Sequence, residues 1–149
     1  MALPFTVELI SDGEHIHPSL YDLVVKIKGY EKVILISKAT SGLFCPDGIY
    51  PLGNQKIEVK GKVCRLLDGR LAGSVHRLDE ALLSMSQETN IPIHIIIAML
   101  TINPAKRLGI DGQKGTLKEG KDADIVLLDH DLRVKTVYIA GKKVFDRGG

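Results

Sequence analysis

The sequence predicts an α/β fold built on parallel strands, and three features carry that expectation. A strand, a helix and a second strand follow one another within the first 40 residues; the second strand is almost wholly apolar; and short glycine-bounded strands then interrupt the pattern. Thr6 to Ser11 (TVELIS) is a β-rich run broken by Asp12-Gly13. A helix can begin near Pro18, where SLYDLVVKIKG sets Leu20, Leu23, Val24 and Ile27 on one face, and Gly29 ends it. Val33 to Ser37 (VILIS) suits a strand buried on both faces. Such a βαβ unit makes its two strands parallel and puts its chemistry at their C-terminal ends, here Asp12 to His17 and Lys38 to Gly42.

From Gly48 the segments IYPL, QKIEV and KVCRLL alternate with glycine turns and read as a meander of hairpins. Two helices are expected next, Leu78 to Thr89 and Ile93 to Leu108, the second interrupted at Asn103-Pro104 and ended by Gly109. Beyond Thr116 the runs ADIVLLD, RVKTVYIAG and KKVF return to β structure. The expected domains are therefore residues 1–115, a partial barrel with a hairpin excursion near 48–70, and residues 116–149, a β-sandwich portion. Two parallel strands cannot cover their own edges and faces. A barrel of eight βα units takes about 250 residues, so two units read as the last quarter of something larger.

Composition narrows the function. With 44% apolar and 26% charged residues, 149 residues suffice for a buried core. The 20 basic and 18 acidic residues are interspersed, which argues against a nucleic-acid partner. Cys45 and Cys64 are too few for a disulfide framework, and the opening MALPFTVELI is neither a secretory signal nor a spanning helix, so the cytoplasm is expected and a membrane is not.

Five stretches, VELISDGEHIHP, VILISKATSG, LLDGRLAGS, NPAKRLGI and KGTLKEGKDADIVLLD, occur in the order found in N-acetylglucosamine-6-phosphate deacetylases of the amidohydrolase superfamily, which the chain resembles over nearly its whole length. The last two identify only the superfamily; Asp12-Gly13-Glu14-His15 and Leu71-Ala72-Gly73-Ser74 narrow it to the sugar-phosphate deacetylases. The resemblance implies a metal-dependent (β/α) barrel of which this chain supplies the last two βα units, plus the C-terminal share of a small β-sandwich. The implied reaction is hydrolysis of N-acetylglucosamine 6-phosphate to glucosamine 6-phosphate and acetate with a divalent zinc or iron ion. The implied metal ligands, a Glu and two His, belong to earlier strands and would precede Met1. No metal is expected on this chain alone.

Residue by residue, the resemblance places His15 against the sugar phosphate, with the Asp12, Gly13 and Glu14 backbone lining the same pocket, and Leu71, Ala72 and Gly73 against the acetamido end. His15 and His17 form an HxH that could ligate zinc, but no further cluster at ligand spacing completes a site. Lys38 departs from the pattern: the family has Thr-Asp-Ala where this chain has Ser37-Lys38-Ala39, and that Asp is the general base. A lysine, with a reference pKa near ~10.4, is protonated at neutral pH and can neither accept that proton nor ligate a cation. Two placements of Lys38 are open, a buried amine with depressed pKa or an ammonium reaching solvent or a neighbouring carboxylate at the edge of an unfinished barrel, the second being preferred. His94 is expected as a core or interface histidine; His76 and His130 carry no argument, nor do the cysteines as nucleophiles. Three readings follow: a truncated C-terminal piece of the enzyme, inactive alone; a non-catalytic oligomerising or binding module; or a partner for a separately encoded N-terminal half.

Overall fold

The computed structural model describes residues 5–148. The first two strands, β1 (Val7–Leu9) and β2 (Val33–Leu35), pair in parallel from Val7↔Val33 to Leu9↔Leu35. All three residues of β2 are buried, as an apolar run predicts for a strand covered on both faces. Both strands are shorter than the sequence suggests because the next residues take other partners. Ser11 Oγ donates to the carbonyl of Ala81, and the backbone of 38–40 pairs with Ser74.

Helix α1 (Tyr21–Lys28) follows a single 3-10 turn, Pro18–Leu20, and ends at Gly29, whose φ of 78° is the conformation glycine tolerates. The expected buried face is wrong in three of four positions. Leu20, Leu23 and Ile27 are 41%, 49% and 53% exposed, while Tyr21, Val24, Val25 and Lys28 face inward. These four also have i, i+3, i+4, i+7 spacing, so periodicity alone could not choose between the faces. The choice follows from Tyr21, whose ring fills the core while its hydroxyl accepts the Gly13 N–H at 3.1 Å. Lys28 buries its stem and donates Nζ to the Phe5 carbonyl at 3.2 Å.

The main core joins Leu9, Tyr21, Val33 and Leu35 to Leu82 and Met85 of α2 (Leu78–Glu88) and to Ile96 and Met99 of α3 (Ile93–Leu100). Helix α4 (Ile102–Leu108) begins one residue after α3 ends. The break lies at Thr101, two residues before the expected Asn103-Pro104 interruption, because the ring of Pro104 would collide with the carbonyl four residues back, at Leu100. Pro104 instead sits in the first turn of α4. Asn103 donates Nδ2 to the carbonyls of Tyr30 and Val33, both at 2.8 Å, and so fastens α4 to β2.

Strands β3 (Gly48–Leu52), β4 (Gln55–Lys60) and β5 (Val63–Leu66) form the expected antiparallel meander. Its inner face holds a second core of Ile57, Val59, Cys64 and Ala72. The last sheet, β6 (Ile125–Leu128), β7 (Val134–Ile139) and β8 (Lys142–Asp146), is also antiparallel. Leu128 and Leu132 pack on the main core, whereas in the cross-strand row Val126, Val137, Phe145 both Val126 and Phe145 are exposed. His94 is exposed on α3, contrary to a place in the core. Among the described residues no helix is long and apolar enough to cross a membrane.

Truncating Met99, which is fully buried, should cost about 2–5 kcal/mol. Leu23→Ala, on the exposed face of α1, should cost less than about 0.5 kcal/mol. Urea denaturation of the two variants checks the corrected helix face; equal losses would contradict it.

Candidate functional site

Parallel pairing sends the chain out of β1 and β2 at the same end, so the two loops predicted to carry chemistry are neighbours by construction. After β1, Asp12 organises its own loop. Oδ1 accepts the backbone N–H groups of Glu14 and His15, each at 3.0 Å, and Oδ2 lies 2.8 Å from His15 Nδ1. Gly13, at φ 79°, supplies the left-handed step this tight turn requires. The Asp12 side chain is only 2% exposed and that of His15 is 20% exposed. Burial pushes the Asp12 carboxyl up, but the two backbone N–H groups and the His15 ring outweigh it and hold its pKa below the usual carboxylate value. Asp12 thus remains an acceptor, His15 Nδ1 is its donor, and Nε2 is the ring's remaining polar atom.

After β2, Lys38 adopts φ 49° and is exposed, its side chain without a hydrogen-bond or ion-pair partner among the described residues. The buried-amine placement is therefore overturned in favour of the ammonium in solvent. The Lys38 backbone, by contrast, is held tightly. Its carbonyl accepts the Ser74 N–H at 3.0 Å, and the Thr40 N–H donates back to Ser74 at 2.9 Å. Gly73 makes this approach possible: a Cβ there would lie 2.7 Å from Thr40 Cγ2 and 2.9 Å from the Lys38 carbonyl oxygen.

Leu71, Ala72 and Gly73 therefore reach the same end of the fold as Lys38. Ala72 and Gly73 are buried, and Ala72 belongs to the meander core, its N–H bonded to the Cys64 carbonyl at 3.0 Å. Leu71 alone of the three is partly open. A second link joins the turn to the Asp12 loop through Arg65, a residue the sequence did not single out. Arg65 bridges Leu71 through the backbone, donates Nη1 to the Gly69 carbonyl at 2.9 Å, and brings Nη2 to 4.0 Å from Glu14 Oε2. Nothing in a linear reading pairs an arginine of the meander with a glutamate 51 positions earlier.

Of the four residues expected to line a pocket, Asp12 to His15, His15 borders a cleft. The cleft, of about 240 Å³, otherwise runs along the unpaired edge of β1, between Val7 to Ile10, Ile16 and Val24. His17 takes no part, since its Nδ1 bonds Ser19 Oγ at 2.9 Å and caps the 3-10 turn. The HxH is thereby divided between two structural duties, and no group of three His, Cys, Asp or Glu is placed to hold a metal among the described residues. His76, which carried no sequence argument, is buried; among the described residues its Nδ1 makes no hydrogen bond but lies 4.0 Å from Glu80 Oε2, beside a polar cleft of about 470 Å³ that Arg77, Arg133 and Arg147 also line. Cys64 is buried and Cys45 exposed.

Because the folded state lowers the Asp12 pKa, its contribution to stability is complete above the unfolded value of about 3.9 and is lost as pH falls through the lower folded value. Asp12→Asn should flatten the acid limb of the stability curve below about pH 4, which urea midpoints over a pH series would show. Gly73→Ala, with φ 84° and a Cβ too close to backbone, should destabilise by about 1–3 kcal/mol, whereas Gly69→Ala, which meets nothing within 4 Å, should cost less. Equal losses in a melting comparison would contradict the close approach.

The profile of the amidohydrolase family matches residues 33–144. The chain is similar to a putative N-acetylgalactosamine-6-phosphate deacetylase of Escherichia coli (strain K12), 38% identical over 136 residues, which cover 91% of this chain and 81% of that protein. It is equally similar, at 38% over 141 residues, to the N-acetylglucosamine-6-phosphate deacetylase of Bacillus subtilis (strain 168), where the match covers 95% of this chain but 36% of that one. Of several other curated relatives that it matches, it spans only about a third of the length. Among solved structures, the Thermotoga maritima N-acetylglucosamine-6-phosphate deacetylase superposes with a TM-score of 0.89 at 35% identity, over 95% of this chain and 39% of that one. A mutant Mycobacterium smegmatis N-acetyl-D-glucosamine-6-phosphate deacetylase, solved in complex with N-acetyl-D-glucosamine-6-phosphate, gives 0.88 at 33% identity, over 93% and 37%. The parallel strand pair, the loops gathered at its end and these matches agree: the chain belongs to the amidohydrolase family.

Proposed function

We propose that this chain is the C-terminal portion of a sugar-phosphate deacetylase, contributing the last two βα units of a (β/α) barrel and part of a β-sandwich, and that alone it does not hydrolyse N-acetylglucosamine 6-phosphate. The observation that carries this reading is Lys38. It stands at the C-terminal end of β2, where the family resemblance puts the aspartate that moves the proton, and it presents an exposed cation. Asp12 and His15 keep the arrangement of a ligand-contacting loop, with His15 Nε2 the candidate contact to the sugar phosphate and Leu71 to Gly73 beside it. The reading places the protein in the cytoplasm, with a phosphorylated amino sugar as its small-molecule partner.

The resemblance also implies a zinc or iron ion. The residues present do not fit one. Among the described residues no three of His, Cys, Asp or Glu come together to hold a cation, and Lys38 would repel one at the strand end.

A second reading, the non-catalytic oligomerising module, is favoured by the apolar faces left open on α1 (Leu20, Leu23, Ile27) and on the last sheet (Val126, Ile139, Phe145). Light scattering separates the two: a discrete oligomer supports the module, and poor solubility or aggregation the severed enzyme.

Acetate release tests the first reading. The purified chain should release none from N-acetylglucosamine 6-phosphate. When joined by the N-terminal portion of a relative, only Lys38→Asp should turn over, so equal rates with Lys38 and Asp at that position would overturn the assignment.

A further inference from the structure

His76 lies between two fixed points of the backbone. Its own N–H donates to Ser74 Oγ at 2.8 Å, and Ser74 is the residue whose backbone pairs with Lys38 and Thr40 at the strand ends. One residue further on, Arg77 caps α2 and donates its N–H to Glu80 Oε2 at 3.0 Å. The His76 side chain is only 10% exposed, and among the described residues its Nδ1 makes no hydrogen bond.

Glu80 is the carboxylate that faces the ring, with Oε2 4.0 Å from Nδ1. Burial pushes the Glu80 carboxyl up, but the Arg77 N–H and the charges of Arg77, His76 and Lys62 hold its pKa below the usual carboxylate value. Glu80 is thus an ionised acceptor, and its Oε1 also takes Lys62 Nζ, at 3.5 Å, from the turn between β4 and β5. The other charged groups of this cleft are Arg77, Asp79, Glu88, Arg133 and Arg147. Arg77 is held by Asp79 at 2.8 Å, Arg147 lies 3.8 Å from Asp129, and Arg133 is exposed. Among the described residues neither Asp79 nor Glu88 comes within ion-pair distance of the ring.

A neutral imidazole with its proton on Nε2 turns a lone pair toward the carboxylate, which accounts for a 4.0 Å gap with no bond across it. A second proton makes Nδ1 a donor and the ring a cation. Hydrogen bonds between such charged partners are about 2.7–2.9 Å long, so the ring has about 1 Å to travel. We infer that His76 is a proton-operated clamp: on taking up a proton its ring closes on Glu80 and draws the Ser74 backbone, the start of α2 and the Lys62 turn into one joint. The inference does not depend on what the strand ends bind. An imidazolium paired in the fold and unpaired in the unfolded chain stabilises the fold on the acid side, and that gain is lost as pH rises and the proton leaves.

A double-mutant cycle tests this with His76→Gln, Glu80→Gln and the two together, each unfolded in urea at about pH 5.5 and about pH 8, which bracket the ordinary range of histidine. Gln at position 80 still accepts the Arg77 N–H, so the helix cap survives while the charge is removed. Coupling between the two positions should be about tenfold in the unfolding equilibrium at the lower pH and below about twofold at the higher. Coupling that is as large at the higher pH, or absent at the lower, would overturn the clamp. NMR of the parent chain supplies a readout that needs no variant: the Ser74, Arg77 and Glu80 amide signals should move along the same pH curve as the His76 ring. A histidine that merely fills space would move its own ring signals alone, so amides that stay fixed while the ring titrates exclude the clamp as well.

Discussion

Three backbone pairings between β1 and β2 place everything else. They make the two strands parallel, and only a parallel pair brings the loop after residue 9 and the loop after residue 35 to one end of the molecule. So short a ladder is weak by itself. It is held by packing, with Tyr21 of α1, Met85 of α2, and Ile96 and Met99 of α3 closing over it as one core, and by Asn103, whose amide occupies the carbonyls of Tyr30 and Val33 on either side of where β2 begins. Every one of these groups is buried, so the pairing stands or falls with the whole core.

From that arrangement the site acquires two layers of different rigidity. The backbone layer is tightly defined: Asp12 fixes its loop by three hydrogen bonds, and Gly73 lets the turn of 71–73 close on Lys38 without a side chain between them. The side-chain layer is open, with Lys38 extended into solvent and Glu14 only loosely joined to Arg65 across 4.0 Å. Such a division is common where a rigid scaffold presents adaptable polar groups to a ligand. Membership of the amidohydrolase family sets the context in which the lysine matters, because a cation at this strand end is opposed to the metal-centred chemistry that the resemblance implies.

Much of the fold was legible along the chain. The βαβ unit, the meander from Gly48 and the three terminal strands all appear where glycine punctuation and apolar runs put them. Legibility failed where two patterns fitted equally well. In α1 the faces through Leu20, Leu23 and Ile27 and through Tyr21, Val24, Val25 and Lys28 have the same helical spacing, and only the reach of the Tyr21 hydroxyl to Gly13 breaks the tie. It failed again at α3, where the effect of Pro104 is felt four residues upstream, and at His94, whose apolar neighbours suggested burial that the core does not provide.

The residues of the site divide along the same line. Asp12, Gly13 and His15 form a local motif, since a short acidic side chain bonding backbone two and three residues ahead needs only sequence proximity; the sequence alone could specify that turn. The identity of Lys38, and hence the sign of the charge at the end of β2, is likewise written in the chain. Whether that lysine would be buried or exposed, that Gly73 would close on it from 35 positions away, and that Arg65 would meet Glu14 were decided only by tertiary structure. Those contacts join segments whose separation along the chain carries no periodic signal, and they arise because the meander folds back over the strand ends.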